Sequence, residues 1–165
     1  MRTFWLLFVC SFLLISCGSS KRSFSDNNVS LEKVGKKRTN VVENALKFEG
    51  TPYKYGGTTK SGMDCSGLIY VAFQKENIPL PRTSRAMSLE GERLKMREVS
   101  PGDLLFFQTN KNRNVINHVG LVISVSDGEI AFVHSSTSRG VIVSSLSQAY
   151  WNEAFMMARR VIDEP

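Results

Sequence analysis

Apolar residues are distributed in three regimes: an unbroken run at the start, helical spacing up to about residue 90, and strand-like runs beyond Gly91. Val41, Val42, Ala45, Leu46 and Phe48 share one helical face, with Thr39 or Asn40 placed to cap its start and Gly50 to end it. A second helix is predicted from Asp64-Cys65-Ser66 through Leu68, Ile69, Val71, Ala72 and Phe73, stopping at Asn77-Ile78-Pro79. A third, short one is predicted from Thr83 or Ser84 to Glu90. After the turn signal Ser100-Pro101-Gly102-Asp103 come the strand candidates Leu104–Phe107, Val119–Val125 and Ile130–His134, the last two joined by the hairpin signal Asp127-Gly128. Val141–Val143 and Met156–Ile162 supply two more. Helices first and antiparallel strands after predict an α+β domain with helices packed on one sheet.

The first run, Phe4 to Ile15, follows Arg2 and holds one serine among its twelve residues. It is too short for a bilayer core of about 30 Å, which takes about 20 residues, but suits the apolar core of a signal peptide. Its end, Leu14-Ile15-Ser16-Cys17-Gly18-Ser19, resembles the lipobox of bacterial lipoproteins, in which the cysteine is acylated and becomes the first residue after cleavage. The alternative is a buried N-terminal segment that happens to end in cysteine. The expected organisation is a signal peptide over 1–16, a lipidated flexible tether over 17–38 and a folded domain over 39–165. The tether is rich in Ser, Lys, Asn and Arg, and its Lys36-Lys37-Arg38 is expected to be a solvated basic patch.

The 165 residues carry 21 Lys and Arg against 15 Asp and Glu, a net charge of +6, so anionic partners are open to it. Cleavage before Cys17 removes Arg2 and leaves +5, and export makes a cell-wall or membrane surface a better match than nucleic acid. It also discards Cys10 and commits Cys17 to lipid, so Cys65 remains as the one thiol without a disulfide partner.

Cys65 stands in the first turn of its predicted helix, where unpaired N–H groups and the helix dipole favour a thiolate. Asp64 is placed to cap that helix, and the small Ser66 and Gly67 leave room for a carbonyl whose oxyanion neighbouring amides would hold. His118 and His134 flank the Asp127-Gly128 turn and fall at the same end of the hairpin, so one imidazole can orient the other as base for the thiol. Read singly, each has a plain structural alternative: an inert buried cysteine and satisfied strand-end histidines. A zinc site of one cysteine and two histidines lacks any short-spaced ligand pair. No metal or cofactor is expected.

Taken in order, Tyr53-Lys54-Tyr55-Gly56-Gly57, Asp64-Cys65-Ser66-Gly67-Leu68, Pro81-Arg82-Thr83-Ser84, Pro101-Gly102-Asp103-Leu104-Leu105-Phe106-Phe107, His118-Val119-Gly120 and Phe132-Val133-His134-Ser135-Ser136 resemble the NlpC-type cell-wall cysteine peptidases. The resemblance spans about residues 41–162. It implies a papain-like α+β fold with the nucleophile at a helix N-terminus and hydrolysis of a peptidoglycan stem-peptide bond, between D-glutamate and a diamino acid or at a crosslink. By position it implies Cys65 as nucleophile, His118 as base and later acid, and His134 as the residue orienting His118. It further implies Tyr53 as an oxyanion or substrate contact, and Asp64, Ser66 and Arg82 as lining the cleft.

The expected setting is the bacterial envelope: a monomer anchored through lipid on Cys17, facing the periplasm from the outer membrane because no aspartate follows that cysteine. The alternatives are a non-catalytic envelope-binding lipoprotein and an amidase or acyltransferase on the same fold. The chain departs from the pattern at the polar, basic connection 108–117, read either as a solvated loop or as a contact for stem-peptide carboxylates.

Overall fold

Leu104–Phe107 is buried on both faces, as the central strand of a covered sheet must be. The computed structural model describes residues 24–110 and 115–163. Helix α1 (Phe24–Leu46) leads to a two-stranded ribbon, β1 (Thr58–Thr59) and β2 (Gly62–Met63), then to helices α2 (Cys65–Gln74) and α3 (Ser84–Met87). Next come β3 (Glu92–Leu94), β4 (Leu104–Phe107), β5 (His118–Ser126), β6 (Glu129–Ser136) and β7 (Gly140–Ser145), then helix α4 (Ala149–Ala154) and β8 (Phe155–Arg160). Six strands form one sheet in the order β3-β8-β4-β5-β6-β7, with every pairing antiparallel. The expected α+β arrangement of helices on an antiparallel sheet is present.

Alternation along the strands gives the sheet two apolar faces. Leu104, Phe106, Val119, Leu121 and Val133 meet α1 and α2, while Leu105, Phe107, Val122, Ile130 and Phe132 meet Trp151 and Ala154 of α4. Asp127 and Gly128 both have positive φ, 51° and 79°, as a tight hairpin turn requires. An irregularity between Val122 and Ser124 shifts the β5–β6 register, after which Leu121 pairs with Val133. That register puts His118 and His134 on one face as diagonal neighbours.

The structure corrects the sequence reading in three places. Helix α1 begins at Phe24, so the segment read as tether is helical from there on, and Thr39 and Asn40 lie inside the helix. Arg38 is buried instead of solvated: its guanidinium bonds to the Pro101 carbonyl and, at 3.0 Å, to Asp103, which also takes two bonds from Arg160. The folded unit therefore starts before Thr39. Helix α3 stops at Met87, because Gly91 turns the chain at a φ of 67° into β3, where a side chain would collide with the Arg160 carbonyl. Helix α4 was not expected. Residues 1–23, with the signal and Cys17, and residues 111–114 of the 108–117 connection lie outside the described residues.

Candidate active site

Asp64 builds the start of α2. One carboxylate oxygen accepts from the Gly67 N–H at 2.6 Å and the other from the Gly56 N–H at 2.7 Å, which ties the loop 53–57 to the helix. Arg82 grips the same carboxylate with both terminal nitrogens, at 2.9 and 3.0 Å, and reaches Ser66 Oγ at 2.9 Å. Gly67 has to be glycine here, since a Cβ would run into the Gly57 carbonyl oxygen. Asp64, Ser66 and Arg82 thus satisfy one another while lining, with Tyr53 and Cys65, a cleft of about 450 Å³.

Cys65 is the first residue of α2, and its thiol is free. Backbone N–H groups of Val119, Ser66 and Cys65 itself face the sulfur and favour its anion. Burial outweighs them, and with help from Asp64 it pushes the thiol above its ordinary value. The thiolate that the helix start alone predicted is not the resting form. Tyr53 is likewise raised by burial, then by Cys65 and Asp64, so its phenol stays a donor.

Val119, whose N–H meets the sulfur, follows His118 directly. His118 Nε2 lies 3.0 Å from His134 Nδ1, and His134 Nε2 lies 2.9 Å from Ser144 Oγ on β7. With its Nε2 engaged by His134, His118 has Nδ1 left for other partners. Among the described residues no hydrogen bond joins Cys65 to His118, a pair whose contact commonly tightens only when substrate binds.

Trp151 stacks on His118 with ring centres 5.2 Å apart and meets His134 edge-on at 4.6 Å. Phe132 packs against His134, and Gly120 admits the Phe132 ring where any Cβ would strike it. Burial holds His118 down at about 4. His134 falls to about 3, through burial first, then the neighbouring His118 and Arg139. Both rings are neutral at pH 7. At rest the thiol and both imidazoles are neutral, and a neutral imidazole can take a proton when one is released.

The sequence-predicted residues therefore assemble in two groups that meet at the start of β5: Tyr53, Asp64, Cys65, Ser66 and Arg82 from the loops and α2, and His118 with His134 from the hairpin. Ser144 and Trp151 were missed. Ser144 stands at the polar end of the β-branched run Val141–Val143, and its inward orientation follows only from the register His134–Ile142. Among the described residues no group of three or more His, Cys, Asp and Glu is placed to hold a metal ion.

A helix-borne thiol at the start of an interior strand, in a sheet that carries a histidine pair, is the arrangement of a class of thiol hydrolases. Residues 50–160 match the NlpC/P60 family. The chain is 34% identical over 159 residues to a probable endopeptidase NlpC of Escherichia coli, covering 96% of this chain and 99% of that one. It is 32% identical over 145 residues to the murein DD-endopeptidase and LD-carboxypeptidase MepS of Escherichia coli, covering 87% and 73%. A Staphylococcus aureus structure described as similar to lipoprotein, of the NLP/P60 family, superposes with a TM-score of 0.67 at 32% identity, over 78% of this chain and 42% of that one. The protein belongs to the NlpC/P60 family.

Proposed function

We propose that the protein is a cysteine endopeptidase that hydrolyses stem-peptide bonds of peptidoglycan, at a D-glutamyl-diamino acid bond or a crosslink. The observation that supports this reading is the hydrogen-bonded chain His118–His134–Ser144, whose first member directly precedes Val119, the residue whose N–H meets the Cys65 sulfur at the start of α2.

For His118 Nδ1 to act as base, His118 must carry its proton on Nε2 and donate it to His134 Nδ1. His134 then holds its own proton on Nε2 and donates to Ser144 Oγ. In this tautomer Nδ1 takes the Cys65 proton as the sulfur attacks the scissile carbonyl carbon. The oxyanion is held by backbone N–H groups at the start of α2 and by the Tyr53 phenol. His118 gives its proton to the leaving amine as the C–N bond breaks, and a thioester on Cys65 remains. Water, deprotonated by His118, attacks the thioester, releasing the new carboxyl end and restoring the thiol. Trp151, stacked on His118, stabilises the transient imidazolium through its π face. No step uses a metal or cofactor.

The envelope setting is part of the same proposal. Cys17 carries lipid and tethers the catalytic domain to the outer membrane, facing the periplasm. The basic start, the apolar run and the Cys17-Gly18-Ser19 junction support it. Among the described residues no helix is long and apolar enough to cross a membrane.

The test is incubation of the mature protein with purified peptidoglycan, followed by mass analysis of released muropeptides. New amine and carboxylate ends within a stem peptide, absent with Cys65→Ala, are expected. No cleavage by the folded, reduced protein would favour an envelope-binding role, and cleavage between glycan and peptide would favour an amidase.

A further inference from the structure

The cleft has a second lobe that the proposed mechanism leaves without an occupant. Asn117 lines the lobe of Cys65 and Arg82, whereas Thr109 lines the one that contains His118. These two residues are bonded to each other, Thr109 N–H to Asn117 Oδ1 at 2.8 Å and Asn117 Nδ2 to Thr109 Oγ1 at 3.0 Å, and form the ridge between the lobes. A substrate spanning Cys65 and His118 crosses this ridge. Since His118 protonates the departing amine, the lobe it lines receives the amine side of the scissile bond.

That lobe, about 330 Å³, is lined by Trp151 and the exposed Tyr150 and by Ser136, Ser138 and Arg139. No carboxylate lines it. Arg139 is a cation with no acidic partner among the described residues, and its charge reaches His134. In the first lobe, by contrast, Arg82 is neutralised by Asp64.

The position of Arg139 is fixed by its neighbours. Gly140, at a φ of 69°, packs where a Cβ would strike the Thr51 carbonyl oxygen. The next residue, Val141, donates its N–H to the Thr51 carbonyl at 2.8 Å and accepts at its own carbonyl from the Gly50 N–H at 2.9 Å. The turn that presents the guanidinium is thereby anchored to the loop that leads to Tyr53.

We propose that the lobe between His118 and Arg139 is the amine-side subsite and selects a leaving residue that bears a free carboxylate, paired with the Arg139 guanidinium. The proposal rests on the endopeptidase reading and narrows its substrate class.

It is tested with two D-glutamyl-diamino acid stem peptides that differ only in a free or amidated carboxyl on the diamino acid. The wild-type enzyme is expected to prefer the carboxylate peptide in kcat/KM by roughly tenfold to a hundredfold, the range of a charge-assisted hydrogen bond. In Arg139→Gln that ratio falls towards one, mainly through KM on the carboxylate peptide, and Arg139→Lys restores part of it. Equal kcat/KM for the two peptides, or an equal loss on both in Arg139→Gln, would overturn the proposal.

Calorimetric binding of the same peptides to Cys65→Ala reads the subsite without turnover. Tighter binding of the carboxylate peptide, lost in the Cys65→Ala/Arg139→Gln double variant, supports the subsite. Equal binding, or no binding of either peptide, overturns it. Failure of the wild-type enzyme to cleave either peptide counts against the endopeptidase reading instead.

Discussion

His118 Nε2 and His134 Nδ1 are 3.0 Å apart across the β5–β6 hairpin, and this contact engages one nitrogen of His118 and leaves the other available as a base. Its direction depends on Ser144, 2.9 Å behind His134. A hydroxyl that accepts from His134 Nε2 keeps Nδ1 open to His118.

Ser144→Ala is therefore expected to lower kcat roughly tenfold with little change in KM, on the scale of losing a partner behind an active-site histidine. Ser144→Thr should recover most of the loss. The pH profile of Cys65 alkylation should change in Ser144→Ala, whereas a purely structural role for Ser144 would leave it unmoved.

The histidine shifts set the acid limb of activity. With His118 held at about 4 by burial, the free enzyme keeps its base down to that pH, so kcat/KM should rise through an inflection near pH 4 and be level around neutrality. A limb near the ordinary histidine value of about 6.5 would contradict the burial found here.

The same shifts fix the sign of acid destabilisation. In the unfolded chain both imidazoles bind a proton near pH 6.5, but in the folded chain only near 4 and 3. Between these limits the unfolded state holds more protons, so stability is lost as the pH falls from about 6.5 towards 3. Urea midpoints at pH 7 and pH 4.5 should differ accordingly, the lower pH being less stable. His134→Asn should narrow that difference.

Asp103 is fully buried between Arg38 and Arg160. Asp103→Ala, which leaves two cations without it, should cost about 3–5 kcal/mol in urea unfolding. Arg38→Met should cost less, because Arg160 still pairs with the carboxylate. A chain shortened to begin at Thr39 should lose at least as much as Arg38→Met. Full stability of that shortened chain would contradict the placement of α1.

The parts of the site that were legible in the sequence are those set by local rules. Asp64 before Cys65 is a capping signal, and Asp127-Gly128 fixes the hairpin that brings the two histidines to one end; their common face depends on the register irregularity between Val122 and Ser124, which no local signal announces. What was not legible depends on distant partners. The burial of Arg38 is decided by Asp103, 65 residues away. The role of Ser144 requires β7 to lie beside β6 with that residue turned inward. Helix α4 is short and passes straight into β8, leaving too few residues for a period to declare itself. The resting charge of Cys65 was misjudged for the same reason: a helix start is local and readable, while the burial that outweighs it comes from the assembled fold.

The central claim is a thioester on Cys65, and the direct measurement is an acid quench of the mature protein reacting with a stem peptide, followed by mass analysis of the Cys65-containing fragment. A mass increase equal to the acyl half of the substrate, located on Cys65 and present only while substrate remains, is predicted. Cleavage that proceeds without any adduct on Cys65 and persists in Cys65→Ala would contradict it.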